Sequence, residues 1–443
     1  MRWLPSGLSA NSSIAIGLPV PLESSDPALS LYVHVPFCTD KCLYCDFFSV
    51  PRHSVGEEIQ EAVIRQTILQ ARYFLNERAP GASTDLRLPP RIETIFMGGG
   101  TPSSLSRETL APLLDAFRDN AVVEWTVEAN PESLDGKFLA LCESAGVTRL
   151  SVGVQTMRDS LLRLLRRPAS RSDTLAALDL LGRRWHGELN LDFIAGIPGQ
   201  SPKEVREDLA LLGQFLPSHI SLYQLTYEPE TELARLVQQG KIVRNPRELD
   251  EELWFAGKEA LESRGYQHYE ISNFCLPGRE CRHNLRYWRM EPYLGVGPGA
   301  VATVPAKTFA LALGRPDLAG TPGGVLRVSN TKDIHAFLGG QGSLWGLEVE
   351  SVKPEDFLLE NLMMGLRLKE GISLASWMSR FGRSFEELFP GLWKRWSAEG
   401  LAEQPVQFLR LTESGRMVLD GLLGELADRI ATADLPPIAL SWP

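Results

Sequence analysis

The sequence predicts an α/β fold followed by a smaller α+β unit. Two patterns carry this. Six short segments rich in β-branched residues alternate with helical patterns, which points to a parallel sheet with right-handed crossovers. The last ~95 residues change to helix, helix, strand, helix, a winged-helix-like arrangement. Six βα units are fewer than the eight of a closed barrel, so a partial (β/α)6 barrel is one solution. A doubly wound sheet is the other, and pattern alone does not separate the two.

In order, the expected strands are Leu31–Val35, Ile92–Met97, Val122–Glu128, Val147–Val154, Leu189–Ala195 and Ile220–Thr226. Helices are expected at about Glu57–Asn76, Arg107–Phe117, Leu134–Ser144, Asp173–Arg183 and Pro202–Leu216, with Leu249–Arg264 after the last strand. Thr303–Gly346 is rich in Gly, Pro and Ala and reads as a long connection, with a little structure around Val325–Phe337. Helical stretches follow at Pro354–Leu366, Leu374–Arg380 and Glu386–Glu399, the last ending at Gly400, a fitting C-terminal cap. A short strand, Phe408–Leu411, and a helix capped by Thr412 complete the tail. The expected organisation is a flexible extension over 1–29, the barrel and its extension over 30–302, a connection over 303–346, and the winged-helix-like unit over 347–430.

Composition narrows the function classes. The 443 residues hold 45 Lys and Arg against 55 Asp and Glu, a formal charge of −10. That balance argues against nucleic-acid or anionic-membrane partners. No run of eighteen apolar residues occurs, so no membrane-spanning helix is expected. Met1–Ser30 has one early base, Arg2, and a short apolar patch, Ile14–Val20, too weak for a secretory signal. A cytoplasmic location is therefore expected. Six cysteines do not make a disulfide framework. Three of them fall within eight residues, which reads as metal chemistry in a reducing compartment.

Those three form Cys38-Thr-Asp-Lys-Cys42-Leu-Tyr-Cys45, a C-x3-C-x2-C run directly after the first strand. Three thiolates on one loop suit three corners of a cubane iron–sulfur cluster, and one iron then lacks a protein ligand. A structural zinc site prefers four ligands, usually as two separated pairs, and Cys275 and Cys281 are widely spaced and far downstream. Three unrelated thiols are the remaining alternative. Gly98-Gly99-Gly100-Thr101-Pro102 ends the second expected strand, where glycines let a ligand approach the backbone. Glu128, Gln155 and Asp192 lie on the next three strands, Glu128 and Gln155 at their ends. Polar residues at carboxyl strand ends of a βα barrel converge on its site.

The segment from Leu31 through Cys45 resembles the radical S-adenosylmethionine (SAM) superfamily. The resemblance implies a partial barrel and a 4Fe–4S cluster on Cys38, Cys42 and Cys45. It also implies that SAM chelates the open iron and is cleaved by an electron from the cluster. Positions matching Tyr32, Gly99, Gly100, Thr101, Glu128, Gln155, Arg167 and Asp192 line the SAM pocket in that family, and Tyr44 matches a ligand-proximal aromatic. One departure is Leu165-Arg-Arg-Pro-Ala169, where the family often shows Leu-Gly-Arg-x-His. Arg167 is retained, but the glycine and histidine are absent.

Tyr269-Glu-Ile-Ser-Asn-Phe274, His283-Asn-Leu-Arg-Tyr-Trp288, Tyr293-Leu-Gly-Val-Gly-Pro-Gly-Ala300 and Glu360-Asn-Leu-Met-Met-Gly-Leu-Arg367 extend the resemblance. Together they cover about residues 30–430 and point to the group of heme chaperones and oxygen-independent coproporphyrinogen III oxidases. The oxidase branch carries a fourth cysteine two residues after the third, and here that position is Phe47. The chaperone branch carries the His-Asn-x-x-Tyr-Trp motif, where it is implicated in heme binding. The resemblance therefore implies heme as ligand, with His283 its candidate axial ligand. It also implies an acceptor protein for the heme and an electron donor such as a flavodoxin or ferredoxin. Val301 stands where relatives often have a histidine, which weakens any second ligand from that loop. Cys142, Cys275 and Cys281 read as inert, and His34 as a packing residue beside the site. The rival readings are coproporphyrinogen III decarboxylation, RNA modification and a zinc-stapled scaffold.

Overall fold

A computed structural model describes residues 28–75, 92–118, 122–321, 323–339, 344–432, 435–438 and 440–442. Most of the expected N-terminal extension, including Ile14–Val20, lies outside these residues, as does the end of the first expected helix at Asn76.

The six expected strands all form. They are β1 (Leu29–Val35), β2 (Ile92–Gly99), β3 (Glu124–Ala129), β4 (Arg149–Gln155), β5 (Glu188–Ala195) and β6 (His219–Gln224). Their β-branched and aromatic content is buried almost throughout, and β4 is buried along its whole length. The intervening helices are α1 (Glu57–Phe74), α2 (Arg107–Asp115), α3 (Gly136–Ala145), α4 (Asp159–Leu164), α5 (Arg171–Arg184) and α6 (Pro202–Leu212). Local chemistry sets their ends. Ser170 with Asp173, and Ser201 with Glu204, form capping boxes, and Pro202 opens α6 at the position that needs no N–H donor. Gly146 ends α3 in the left-handed region at φ 89°.

After β6 come α7 (Glu232–Gln238), α8 (Arg247–Glu262), β7 (Gln267–His268), β8 (Asn273–Cys275), α9 (Arg282–Trp288) and β9 (Tyr293–Val296). Then follow β10 (Val301–Pro305), β11 (Val325–Ser329), α10 (Ile334–Gly339) and β12 (Glu348–Ser351). One sheet joins the twelve labelled strands in the order β12-β11-β10-β9-β1-β2-β3-β4-β5-β6-β8-β7. From β9 through β1 to β6 every pairing is parallel. The outer strands pair antiparallel on both sides. Strands β1 to β6 stand side by side in chain order with no reversal. A doubly wound sheet reverses at a switch point, so this is a barrel wall. Its end strands do not pair with each other, which leaves the wall open.

Residues 303–346 hold more structure than the expected connection, whose one anticipated structured stretch, Val325–Phe337, contains β11 and most of α10. They supply most of β10 and all of β11, so this stretch extends the sheet. Its Gly and Pro content obscured β10, which is separated from β11 by turns through Gly314, Gly323 and Gly324, all at positive φ.

The C-terminal unit holds α11 (Pro354–Gly365), β13 (Ile372–Ser373), α12 (Leu374–Phe381), α13 (Phe385–Leu388), α14 (Leu392–Ala398), β14 (Phe408–Leu409), α15 (Glu413–Met417) and α16 (Leu419–Thr432). The single helix expected over Glu386–Glu399 is two, because Gly391 turns into the left-handed region at φ 72° and Pro390 supplies no N–H. Phe357, Trp377, Phe381, Phe385, Trp393 and Trp396 pack its core. Thr412 caps α15 by accepting from the Gly415 amide.

Candidate functional site

The loop between β1 and α1 carries the three cysteines. A two-residue pairing, Phe37–Cys38 with Val50–Pro51, closes it at its base. The Leu43 amide donates to Leu165 O at 3.1 Å, and the Leu233 amide donates to Leu43 O at 2.8 Å, pinning its middle. Cys38, Cys42 and Cys45 are all half-buried free thiols on the wall of one cavity of about 330 Å³. Three thiols from one loop on one cavity wall suit three corners of a polynuclear cluster. Burial pushes the Cys38 thiol up and Cys45 up to about 11. Without a metal these groups stay protonated at neutral pH, so ligation would release protons.

The carboxyl ends of the barrel strands form the rest of the wall. Gly99, Gly100, Thr101, Glu128, Gln155 and Asp192 line it, with Tyr44 from the loop and Arg167 from beyond α4. Thr101 Oγ1 donates to Cys38 Sγ at 3.5 Å. Arg167 reaches Cys42 Sγ at 3.5 Å with Nη1, while Nη2 donates to Asn130 Oδ1 at 2.9 Å and Gly153 O at 2.6 Å. Its Nε is buried and has no hydrogen-bond partner. A guanidinium left one donor short beside three thiols suits an anionic or sulfur-rich group in the cavity. Burial raises the Glu128 carboxyl to about 8, with the Asp192 charge adding to it. Glu128 accepts the Gly99 amide at 3.1 Å. Asp192 is also raised by burial, against hydrogen bonds from Ser221, Ser151 and Asn190. Glu128 therefore keeps its proton at neutral pH, and an incoming ammonium group would favour release of that proton to solvent and pairing with the carboxylate.

The glycine run serves the protein first. A Cβ on Gly100 would lie 2.5 Å from Val35 O, and one on Gly99, at φ 95°, would lie 2.2 Å from the His34 ring. Strand packing thus requires these glycines before any ligand does.

Tyr32 and His283 are not on the cavity wall. Tyr32 lies behind it, its hydroxyl 2.9 Å from His34 Nδ1, and His34 Nε2 is 2.8 Å from Phe48 O. His283 opens α9 and is 1% exposed. Its Nδ1 is 2.8 Å from Thr94 Oγ1 and its Nε2 is 3.0 Å from the Tyr287 hydroxyl. Burial, helped by the Arg286 charge, lowers its pKa to about 3. In this conformation both ring nitrogens are engaged, so ligation of an iron through Nε2 would displace the Tyr287 hydroxyl. Cys142, Cys275 and Cys281 are buried.

Sequence reading missed Asn130 and Tyr223, which also line the cavity. Asn130 follows Glu128 in the quoted Val127–Pro131 segment and Tyr223 lies near the end of β6. The same strand-end rule would have found both. Phe47, at the position of the oxidase branch's fourth cysteine, lines the cavity mouth and is 62% exposed. At the missing family glycine, Arg166 adopts φ 55°, the left-handed conformation a glycine takes freely.

Comparisons with known proteins agree with this geometry. A family model described as the radical SAM superfamily matches residues 32–212, and one for the HemN C-terminal domain matches 352–418. The heme chaperone HemW of Bacillus subtilis is 31% identical over 408 residues, covering 90% of this chain and 100% of that protein. HemW of Escherichia coli is 33% identical over 405 residues, covering 90% and 97%. A mouse protein, radical S-adenosyl methionine domain-containing protein 1, mitochondrial, is 32% identical over 460 residues, covering 98% and 95%. In fold, the chain resembles the radical SAM enzyme coproporphyrinogen III oxidase (HemN) of Escherichia coli, with TM-score 0.69 over 92% of this chain and 91% of that one, at 19% identity. A cysteine loop over an open six-unit barrel wall, a fitting C-terminal unit and relatives matched along nearly their whole length lead to one conclusion: this chain belongs to the radical SAM superfamily, in its HemW and HemN group.

Proposed function

We propose that this protein is a heme chaperone. In this reading it holds a 4Fe–4S cluster on Cys38, Cys42 and Cys45, binds SAM against the strand ends, and passes heme to an acceptor protein. The observation that carries the reading over decarboxylation is Phe47. A phenyl ring stands at the cavity mouth where the oxidase branch has a further thiol, and a phenyl ring ligates no metal. The relatives named heme chaperones support the same branch. When bound, the cluster would supply an open iron and a low-potential electron. Glu128 would take the ammonium of SAM, Arg167 would lie against the Cys42 sulfur, and Tyr44 would cover the loop side.

The test is an anaerobic reconstitution followed by hemin titration in the Soret region. Saturable binding near one heme per chain, and transfer of that heme to an apo-hemoprotein, are expected. Turnover of coproporphyrinogen III with SAM and a strong reductant, with no hemin binding, would overturn the reading.

A further inference from the structure

Two of the three cysteine sulfurs accept a hydrogen bond from a side chain of the cavity wall, Cys38 from Thr101 and Cys42 from Arg167. Asn130 joins those two donors. Its Nδ2 donates to Thr101 Oγ1 at 3.1 Å, and its Oδ1 accepts from Arg167 Nη2 at 2.9 Å. One unbroken chain of hydrogen bonds therefore runs from Cys38 Sγ through Thr101, Asn130 and Arg167 to Cys42 Sγ. Its members come from three places in the barrel: just after β2, just after β3, and beyond α4.

Donor chemistry fixes the direction of each bond. A guanidinium has donors only, so the Asn130 oxygen must face Arg167 and the amide NH2 must face Thr101. The Thr101 hydroxyl then accepts from Asn130 and has its one hydrogen left for Cys38. Asn130 is itself held in place. Its backbone amide donates to Ser103 Oγ at 3.1 Å, and Pro131 opens the tight turn that follows. On β4, Gly153 leaves the space for it. A Cβ there would lie 2.7 Å from Asn130 Oδ1, while Gly153 O accepts the second Arg167 Nη2 bond at 2.6 Å.

Hydrogen bonds to the sulfurs help set the potential of an iron–sulfur cluster, because a donor favours the reduced and more negative form. One amide that aims two donors acts on two corners at once. We propose that Asn130 is a positioning residue for the cluster, holding the Thr101 hydroxyl on Cys38 and the Arg167 guanidinium on Cys42 and so raising the reduction potential. This inference rests on the cluster part of the proposed function and is independent of heme.

The test is the reduction potential, read by EPR during a dithionite titration with mediators on the full-length reconstituted protein, beside its iron and sulfide content. In Asn130→Ala the ratio of reduced to oxidised cluster at a fixed potential is expected to fall about tenfold, about 59 mV downward for a one-electron couple, at unchanged iron content. Asn130→Asp keeps the size and the acceptor for Arg167 but draws the Thr101 hydroxyl onto its own carboxylate, and should lower the potential at least as far. Thr101→Val should lower it too. Combined with Asn130→Ala it should give less than the sum of the two shifts, because Asn130 reaches Cys38 through that hydroxyl. Wild-type potentials in both Asn130 variants, or shifts that simply add, would overturn the inference and leave the cluster reading in place. So would failure of both Asn130 variants to hold a cluster, which would make Asn130 a residue of assembly. A wild-type protein that reconstitutes no EPR-active cluster would overturn both.

Discussion

At the scale of the residue, Glu128 faces the cavity with a carboxyl far from its ordinary behaviour. Its unfolded carboxyl titrates near 4.5 and its folded one near 8. Between those values the folded chain holds a proton that the unfolded chain has released, so stability falls as pH rises through that window. Glu128→Gln keeps an oxygen for the Gly99 amide and removes this loss. The metal-free variant is expected to be about 2 kcal/mol more stable than wild type at pH 8 and close to it at pH 4, by denaturant melts. Its SAM affinity should drop. An equal stability difference at both pH values would sink the argument. Arg166 carries a different kind of strain. It is exposed and held at φ 55°, where a side chain costs about 1 kcal/mol that glycine does not incur. Arg166→Gly is therefore expected to raise stability by roughly that amount in urea unfolding. Neither property was legible beforehand. The motif showed a glycine missing, but only the backbone shows that its conformation was kept.

At the scale of the element, α9 shows how a seven-residue helix is fixed by a strand far away in sequence. Glu124 of β3 accepts the His283 amide at 2.9 Å and the Arg282 amide at 3.0 Å, and the Cys281 thiol lies 3.3 Å away. One buried carboxylate thus satisfies the open end of α9 and complements its dipole. It also faces the buried Arg149, whose pKa rises because nearby Cys281 and Glu124 outweigh burial. Glu124→Ala strands both the helix amides and that cation, and is expected to cost about 3–5 kcal/mol. Glu124→Gln keeps an acceptor and should cost less than half of that. Equal costs in thermal melts would show that the charge and the cap contribute nothing distinct. The strand pattern located β3 to within two residues of its start. The partner of Glu124, 158 residues away or more, leaves no local trace in sequence. The same limit hid β10, whose ladder depends on neighbours rather than on its own Gly- and Pro-broken surroundings.

At the scale of the whole molecule, the two ends of the barrel differ. Parallel strands deliver their carboxyl ends to one side, which is why three thiols and the residues at several strand ends could be read from sequence before any fold was known. On the opposite side the C-terminal unit docks, through Arg289 with Glu370, the Arg380 bond to Arg289 O and the Lys369 amide donating to Tyr269 O at 2.9 Å. No periodicity encodes such docking. A ring column joins the two sides: Tyr32, Phe96, His283, Tyr287 and Tyr293 stand in sequence with successive centroids 6.3, 5.3, 4.9 and 4.5 Å apart. Its rings pack on one another, and Tyr32, His283 and Tyr287 are also hydrogen-bonded. Cys42→Ala removes one corner of the thiol set and touches none of these rings. The variant is expected to lose the brown visible absorbance of a reconstituted cluster while its metal-free form melts within a few degrees of wild type, since the barrel core is unchanged. Retained absorbance would remove Cys42 from the cluster, because a cluster held without it would need another ligand.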